Sequence, residues 1–291
     1  MIYGGIEAGG TKMICVIGNE KGEILDRMQI PTRTPEETMP LMIDYFKGKD
    51  IKALGIACFG PIDLDKNSKT YGYITSTPKL AWKNYDIVGA FKKELGVPVG
   101  FDTDVNGSLL GEITWGCAKG KTDALYLTIG TGIGGGVMAG GRLLHGMLHP
   151  ELGHIKVAVV EGDTYKGKCP YHGTCFEGMA AGPAIEERWG KKAIELADNE
   201  EVWDLESTYI AQALSSYILT LSPQIIILGG GVMHQEQLFP LIRKKVLEQL
   251  NGYIVTSELN DIDKYIVPAS LNDDQGIMGA IKLDIDEDLL L

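Results

Sequence analysis

Four side chains between His149 and Gly178 have the types and spacing of metal ligands. The segment reads HPELGHIKVAVVEGDTYKGKCPYHGTCFEG, and its last three candidates follow the pattern Cys-x2-His-x2-Cys. The candidate ligands are His154, Cys169, His172 and Cys175. A set of four nitrogen and sulfur donors is typical of a closed, structural zinc site, which folds a loop and does not activate water. His172 alone would be interpreted as a surface histidine, so the prediction depends on the group.

Two carboxylates flank these ligands in the sequence. Glu151 precedes His154 in the run ELGH, and Glu177 follows Cys175 in the run CFEG. A metal that fixed His154 and Cys175 would also fix where the two carboxylates point, and we expect a ligand to bind between them. Three histidines outside this group are predicted to be structural or exposed: His145, His149 and His234. Of these, only His149 is a candidate substitute ligand.

Glycine-rich turns follow three apolar strands, at Gly9–Lys12, Gly130–Gly136 and Gly229–Gly231. Glycine lets the backbone come close to a bound group, so that amides can point at phosphate oxygens. Ordinary β-turn chemistry also explains each turn taken alone. Their recurrence in corresponding places of the chain favours a phosphate-binding role.

The second turn formally matches the dinucleotide fingerprint G-x-G-x-x-G at Gly130, Gly132 and Gly135, so an NAD-linked oxidoreductase is one hypothesis. That fingerprint must open a helix, whereas IGGGVMAGG continues as a strand pattern. The run GGTK lacks the spacing of a Walker phosphate loop. We therefore interpret the fingerprint match as accidental and expect phosphates to be held between two hairpin turns.

An acidic residue, Asp104, ends a predicted strand and precedes the predicted helix GSLLGEITWG. A carboxylate in this place projects into the crevice where open α/β sheets bind ligands. Helix capping is the alternative role, because Asp is a good N-cap residue. Asp102 lies two residues earlier on the same strand face and is the competing candidate.

The pattern of elements predicts a duplicated α/β protein. Residues 3–30 alternate as a β-meander around glycine turns, and a similar strand, turn, strand, turn, strand order recurs from Ala124. Between the copies we expect a helix opened by Thr34 and Pro35 with Glu37 completing a capping box. Further predicted elements are listed in chain order: a strand in 51–60, a broken loop over 60–82, a helix over 86–95, a strand in 97–104, a helix over 202–221, a strand in 222–232, a helix over 235–250, a strand in 265–270 and a last helix over 273–283.

Composition excludes several classes of protein. The 291 residues carry a formal charge of -12, which disfavours nucleic acid and anionic membranes as partners. No run of apolar residues reaches the length of a membrane span, and no signal peptide is recognisable, so we expect a cytoplasmic protein. Single cysteines at Cys15, Cys58 and Cys117 favour free thiols.

Several of these motifs together resemble one family, the ROK sugar kinases, and most closely their fructokinase branch. The resemblance lies in GGIEAGGTK, DTDVN, LTIGTGIGGG, HPELGH and CPYHGTCFEG, and it covers nearly the whole chain. It implies a duplicated, actin-like fold of the ribonuclease H and hexokinase type, with two α/β lobes around a cleft. The implied lobes are residues 1–117, joined by a C-terminal helix at about 273–291, and residues 118–272, which contain the zinc-binding loop.

The resemblance also implies roles for individual residues. Asp104 is similar to the general base that takes a proton from the attacking sugar hydroxyl. The implied sugar-binding residues are Thr103, Asn106, Glu151, His154 and Glu177. The implied nucleotide-binding residues are Gly9, Gly10, Thr11, Lys12, Thr131, Gly132, Gly230 and Gly231. The resemblance further implies ATP, Mg²⁺ and structural Zn²⁺ as cofactors, D-fructose as substrate and a homodimer.

Three positions depart from the general pattern of that family. Glu7 replaces the usual Asp of the first turn, Thr103 replaces Asn before the base, and His172 replaces a Cys ligand. Tetrahedral zinc accepts either donor. Glucose, mannose or allose remain alternative sugars. A sugar-responsive regulator of the same family is a further hypothesis, which the acidic charge and the strand beginning at Ile2 disfavour.

Overall fold

Apolar strands that end in glycine turns occur in two sets, and each set builds a sheet. The computed structural model describes residues 1–283. The strands are β1 (Ile2–Ala8), β2 (Lys12–Asn19), β3 (Ile24–Pro31), β4 (Leu54–Cys58), β5 (Tyr73–Ile74), β6 (Tyr85–Asp86), β7 (Val99–Thr103), β8 (Ala124–Ile129), β9 (Ile133–Ala139), β10 (Arg142–Leu143), β11 (Ile225–Gly229) and β12 (Ile266–Pro268).

The helices connect or follow these strands. The α-helices are α1 (Pro35–Phe46), α2 (Ile87–Leu95), α3 (Asp104–Thr114), α4 (Phe176–Ala180), α5 (Gly182–Trp189), α6 (Glu200–Leu221), α7 (Leu238–Leu250), α8 (Ser257–Asn260), α9 (Ile262–Tyr265) and α10 (Gln275–Leu283). Short 3-10 helices lie at Leu80–Trp82, Leu152–His154, Ala193–Leu196 and Gly231–His234.

Contacts divide the chain into two units. The first unit comprises Met1–Gly120, Gly141–Pro150 and the described residues from Ser270 to Leu283; the part of the predicted C-terminal helix after Leu283 lies outside the described residues. The second unit comprises Lys121–Gly140 and Glu151–Ala269. The segment Gly141–Pro150 is therefore enclosed in sequence by the second unit but belongs to the first.

The sheet of the first unit has the strand order β3-β2-β1-β4-β7. The β1–β2 and β2–β3 pairs are antiparallel, whereas β4 is parallel to both β1 and β7. All five residues of β4 are buried, as its continuous apolar sequence predicts for a central strand. Within the second unit the same arrangement recurs as β9-β8-β11-β12, with one antiparallel and two parallel pairs. The predicted duplication is thereby confirmed.

Helix α1 corrects one local prediction. It begins at Pro35 after Thr34, as expected, but the Thr34 side chain forms no capping hydrogen bond with the helix backbone. The Thr34 hydroxyl instead interacts with the carboxylate of Glu36, and Glu37 pairs with Arg33 at 3.7 Å. The predicted capping box is therefore wrong, because Thr34 and Glu37 interact with the neighbouring side chains of Glu36 and Arg33.

Helices α10 and α3 pack closely against one another at positions occupied by glycine. A Cβ added to Gly279 would lie 1.6 Å from the carbonyl oxygen of Gly107, and one added to Gly111 would lie 2.3 Å from that of Gln275. Any side chain at these positions would separate the helices. Because α3 begins at Asp104, this close packing fixes the helix whose first residue carries the candidate base.

Candidate active site and metal centre

The N-terminus of α3 distinguishes the roles of Thr103 and Asp104. Thr103 is the N-cap, and its Oγ1 accepts a hydrogen bond of 3.1 Å from the backbone amide of Asn106. Asp104 is the first helical residue and is partly exposed. The capping role considered for Asp104 thus belongs to its neighbour. A carboxylate in the first turn is also stabilised in its ionised form by the helix dipole.

The competing candidate, Asp102, is fully buried and has its oxygens occupied. Oδ1 accepts hydrogen bonds from the backbone amide of Thr103 at 2.7 Å and from Nδ2 of Asn106 at 2.8 Å. Oδ2 lies 2.9 Å from Nε2 of His145. A carboxylate held in this way is a structural acceptor, which leaves Asp104 as the better candidate base.

The pKa of Glu7, a second carboxylate of the first unit, is affected by the charge of Asp104. Burial, and after it the negative charge of Asp104, raise the pKa of Glu7 to about 7, while Lys12 opposes the shift. Glu7 is the penultimate residue of β1, two residues before the first glycine turn begins at Gly9. A buried carboxylate whose pKa is raised by a neighbouring negative charge is a group whose ionised form a divalent cation would stabilise.

The first glycine turn is closed by backbone and hydroxyl hydrogen bonds. The amide of Gly9 donates to the carbonyl of Lys12 at 3.0 Å, and Oγ1 of Thr32 donates to the carbonyl of Gly9 at 2.6 Å. A Cβ on Gly10 would lie 3.3 Å from Cε of Lys79, so the stem of this lysine passes over the turn. Within residues 1–283 the ammonium groups of Lys12 and Lys79 form no ion pair. The turn therefore has two cations available to an anionic ligand.

The second glycine turn joins β8 to β9. The amide of Gly130 donates to the carbonyl of Gly132 at 2.9 Å, and the amide of Gly182 donates to the carbonyl of Gly130 at 2.7 Å. A Cβ on Gly130 would lie 3.6 Å from the backbone nitrogen of Gly231. The predicted phosphate turn and the predicted adenosine-side turn are thus neighbours in the second unit. Because this turn continues into strand β9, the dinucleotide fingerprint lacks the helix it requires.

Gly230 occupies a conformation that other residues avoid. Its φ is 89° and its ψ is 164°, a region that is essentially restricted to glycine. A Cβ there would lie 2.6 Å from both the backbone nitrogen and the carbonyl oxygen of Ile129. The turn after β11 therefore depends on glycine for its conformation and for its closeness to β8.

The four predicted metal ligands converge in the second unit. Their ligand atoms all lie within 4.8 Å of one another. Nδ1 of His154 lies 3.8 Å from Sγ of Cys169 and 3.6 Å from Sγ of Cys175. Nδ1 of His172 lies 3.7 Å from Sγ of Cys169. The sequence prediction that these residues form one cluster is confirmed.

The geometry and chemistry of this cluster fit zinc. Zinc bound tetrahedrally at about 2.0 Å from nitrogen and about 2.3 Å from sulfur places neighbouring ligand atoms about 3.3 to 3.8 Å apart. The three sulfur–nitrogen distances above lie in that range. Burial raises the pKa of the Cys175 thiol to about 11, so a cation would be needed to hold its thiolate at neutral pH.

Backbone contacts support the cluster. Lys156 and Cys175 form an antiparallel bridge, and so do Cys169 and Gly173. Cys175 is also the N-cap of α4, with its sulfur accepting a hydrogen bond of 3.4 Å from the amide of Gly178. A metal ligand thus directly precedes the short helix that carries Glu177.

Glu177 connects the metal cluster to the second glycine turn. Its Oε2 accepts a hydrogen bond of 3.0 Å from the amide of Ile133, and a Cβ on Gly132 would lie 2.8 Å from the same oxygen. Its Oε1 lies 4.0 Å from Nε2 of His154. The other flanking carboxylate, Glu151, is exposed and precedes the 3-10 helix that ends at His154. Thr131 is exposed at the tip of the turn.

Two residues near these sites were not predicted to be functional. His145 was predicted only to be structural or exposed, and the structure shows that it contacts the buried Asp102. Lys79 lies over the first glycine turn but falls in a segment predicted only as a loop. Both contacts join distant parts of the sequence, so no local spacing pattern indicates them.

Comparison with known proteins assigns the family. The ROK family model matches residues 3–287. A relative from Bacillus subtilis (strain 168) is 55% identical over 259 residues, which cover 89% of this chain and 87% of the relative. The fructokinase of Pediococcus pentosaceus is 46% identical over 253 residues, covering 87% of this chain and 88% of that protein. The chain belongs to the ROK family.

A solved structure supports the same assignment. The crystal structure of the ROK hexokinase from Thermus thermophilus superposes with a TM-score of 0.80 at 25% identity, covering 98% of each chain. The expected fold, that of the actin-like sugar kinases, is confirmed. Among the described residues, no helix combines the length and apolar composition needed to cross a bilayer.

Proposed function

We propose that the protein is an ATP-dependent hexose kinase that phosphorylates the 6-hydroxyl of D-fructose, with Asp104 as the general base. The observation that carries the proposal is the contrast between two aspartates. Asp102 is buried and hydrogen-bonded, whereas Asp104 is partly exposed at the N-terminus of α3. Relatives named fructokinase at 45 to 46% identity support the sugar.

In the proposed reaction Asp104 accepts the proton of the 6-hydroxyl as its oxygen attacks the γ-phosphorus of ATP. The bond between that phosphorus and the β,γ-bridging oxygen breaks, and ADP leaves. Phosphoryl transfer needs alignment and charge neutralisation more than covalent catalysis, and a positioned base adds about 10² to 10⁴ in rate.

The glycine turns supply the phosphate contacts of this proposal. In the first glycine turn, the amides of Gly9, Gly10 and Thr11 together with the Lys12 ammonium bind phosphate oxygens. In the second glycine turn, Thr131 and Gly132 bind phosphate, and in the third, Gly230 and Gly231 form the adenosine side. Mg²⁺ commonly binds through one or two carboxylates together with substrate phosphates, and Glu7, close to the first glycine turn, is the carboxylate suited to hold it. When bound, it would neutralise the charge that develops on the phosphates.

The proposed sugar contacts come from two parts of the sequence. Thr103 and Asn106 belong to the start of α3, and Glu151, His154 and Glu177 belong to the segment that also carries the metal ligands. Zinc would be held by His154, Cys169, His172 and Cys175 and would fold the loop that carries these sugar contacts. A cytoplasmic homodimer completes the proposal, and light scattering tests the dimer.

The decisive experiment compares wild-type protein with Asp104→Asn, using MgATP and a panel of fructose, glucose, mannose and allose. We expect phosphorylation of fructose to be fastest, and the variant to lose about 10² to 10⁴ in kcat. Asp44→Asn, an exposed aspartate on α1, is the matched control and should retain full activity. Unchanged turnover in Asp104→Asn would exclude the base, and a better rate with another hexose would replace fructose.

A further inference from the structure

Three donors surround the buried carboxylate of Asp102, and one of them comes from a distant segment. His145 lies in the segment Gly141–Pro150, which belongs to the first unit although the second unit encloses it in sequence. Its Nε2 lies 2.9 Å from Oδ2 of Asp102, and 27% of its side chain is exposed. The imidazole thus joins this segment to the strand that leads into Asp104.

The carboxylate of Asp102 determines the orientation of the Asn106 amide. Oδ1 of Asp102 lies 2.8 Å from the amide group of Asn106. An ionised carboxylate only accepts hydrogen bonds, so the amide must turn its NH₂ group towards Asp102. Its oxygen therefore faces the opposite way. Rotating the amide by half a turn would place two acceptors against one another.

The amide oxygen is then left without a partner. Asn106 is 1% exposed, and its Oδ1 has no hydrogen-bond partner in the described part of the chain. A buried acceptor without a donor is costly, and in a binding site the missing donor is commonly a group of the ligand. A sugar hydroxyl is a donor of the required kind.

We propose that His145 is a positioning residue: through Asp102 it holds the amide of Asn106 so that the amide oxygen accepts a hydrogen bond from a hydroxyl of the sugar. This inference rests on the proposed function, because it requires that the protein bind a hexose. His145 does not itself touch the sugar. Its Nε2 lies against Oδ2 of Asp102, and Oδ1 of Asp102 accepts from the amide of Asn106 and keeps it in place.

The charge of His145 gives the proposal a pH signature. The hydrogen bond to Asp102 raises the pKa of His145 above its ordinary value of 6.5, with burial opposing the shift. The imidazolium is therefore present at lower pH and is lost as the pH rises through the raised pKa. Asp102 and Asn106 face the ring, and the cavity of about 380 Å³ beside it is also lined by Asp63, Asp65, Lys66, Arg142 and His149.

Two substitutions of His145 and one control separate positioning from simple folding. His145→Gln keeps an N–H donor without the charge, and His145→Leu removes both. Met147→Ala changes a fully exposed residue of the same segment and is the matched control. For each protein, kcat, the KM for fructose, the KM for ATP and the thermal midpoint are measured between pH 6 and 9.

We expect the KM for fructose to rise about tenfold in His145→Leu and less in His145→Gln, because losing one partner of a buried charged hydrogen bond costs that much binding. The KM for ATP should change little. In the wild type the KM for fructose should increase above pH 6.5, and this increase should be absent from both variants. Glu7 also titrates near pH 7, but it is common to all the proteins and cancels in the comparison.

An unchanged KM for fructose in both His145 variants of an active enzyme would overturn this inference and leave the proposed function standing. The inference would also be overturned if the His145 variants lowered only the thermal midpoint, or if Met147→Ala raised the KM for fructose as much as they do. A wild-type protein that phosphorylates no hexose would overturn both. Should His145→Leu fail to fold, the KM and pH profile of His145→Gln still decide the question.

Discussion

The Nε2 atom of His154 lies 4.0 Å from Oε1 of Glu177, and the opposite nitrogen of the same ring faces the thiols of Cys169 and Cys175. One imidazole therefore belongs to the metal cluster through Nδ1 and to the proposed sugar site through Nε2. A metal on Nδ1 would fix the tautomer, leaving the proton on Nε2 as a donor. This arrangement separates a structural role for the metal from the chemistry, which we assign to Asp104.

Removing the metal should weaken sugar binding and stability together. In Cys175→Ser we expect bound zinc to fall from about one ion per chain to well below half, since one of four ligands is lost. The thermal midpoint should fall by roughly 2 to 4 °C for each kcal/mol of stability lost. The KM for fructose should rise, because His154 and Glu177 lose their support. Elemental analysis, thermal unfolding and steady-state kinetics measure these three effects.

The control for this experiment is Cys117→Ser. Cys117 lies outside the cluster, and a hydroxyl could replace the thiol that contacts Oε2 of Glu112 at 3.3 Å. It should retain zinc and the KM for fructose. Wild-type protein purified without chelator that holds no zinc, or Cys175→Ser that keeps its full content, would contradict the assignment of the metal.

Glu177 should affect both substrates, because its two oxygens have different partners. Glu177→Ala removes the acceptor for the amide of Ile133 and should raise the KM for ATP and for fructose, each by about tenfold. Glu177→Gln retains one carbonyl oxygen, which can still accept from Ile133. We therefore expect its KM for ATP to remain close to wild type while its KM for fructose rises.

Steady-state kinetics with each substrate varied in turn measures this difference. Glu186→Ala, an exposed glutamate on the neighbouring helix α5, should leave both KM values unchanged. If the alanine and glutamine variants of Glu177 raised the KM for ATP equally, the hydrogen bond to Ile133 would have no role in holding the second glycine turn.

Much of the fold follows from local patterns in the sequence. The apolar run in 51–60 predicts a buried strand, and a helix is predicted over 86–95. The structure confirms both, with Asp86 accepting a hydrogen bond of 2.7 Å from the amide of Gly89. The close packing of α3 on α10 is different. Glycines on both helices permit it, but the sequence does not show which helix faces them.

Some parts of the candidate site could likewise be predicted from the sequence, and others could not. The metal cluster was predictable, because Cys-x2-His-x2-Cys brings three of its ligands together within one loop. Spacing alone does not choose between Asp102 and Asp104, since both lie on one strand pattern. The family resemblance favours Asp104, and the structure adds that Asp102 is buried and hydrogen-bonded. His145 and Lys79 were missed for a related reason: their contacts cross long stretches of chain and depend on tertiary packing.

The third glycine turn, Gly229–Gly231, should not tolerate a side chain at Gly230. Gly230→Ala should destabilise the protein by about 3 kcal/mol or more, because its Cβ would meet the backbone of Ile129 at 2.6 Å in a conformation essentially restricted to glycine. Gly252→Ala is the matched control. Its φ is also positive, at 72°, but nothing lies within 4 Å of an added Cβ, so we expect a cost of about 1 kcal/mol. Urea unfolding compares the two, and equal costs would show that the contact with β8 is unimportant.

Glu7 should make the stability of the protein fall as the pH rises, when Mg²⁺ is absent. Burial and the charge of Asp104 raise the pKa of Glu7 from 4.5 to about 7, so the folded state holds this proton more tightly than the unfolded state. The resulting stability is fully present below pH 4.5 and is lost as the pH rises to about 7. The loss amounts to at most about 3 kcal/mol.

Glu7→Gln cannot titrate at this position. The difference between wild type and Glu7→Gln in urea unfolding from pH 5 to 8 therefore isolates the effect of Glu7 from that of other groups, including His145. Excess Mg²⁺ should reduce the difference if Glu7 helps to bind the ion, because a cation favours the ionised carboxylate. Identical pH dependence in wild type and Glu7→Gln would show that the proton on Glu7 is not linked to folding.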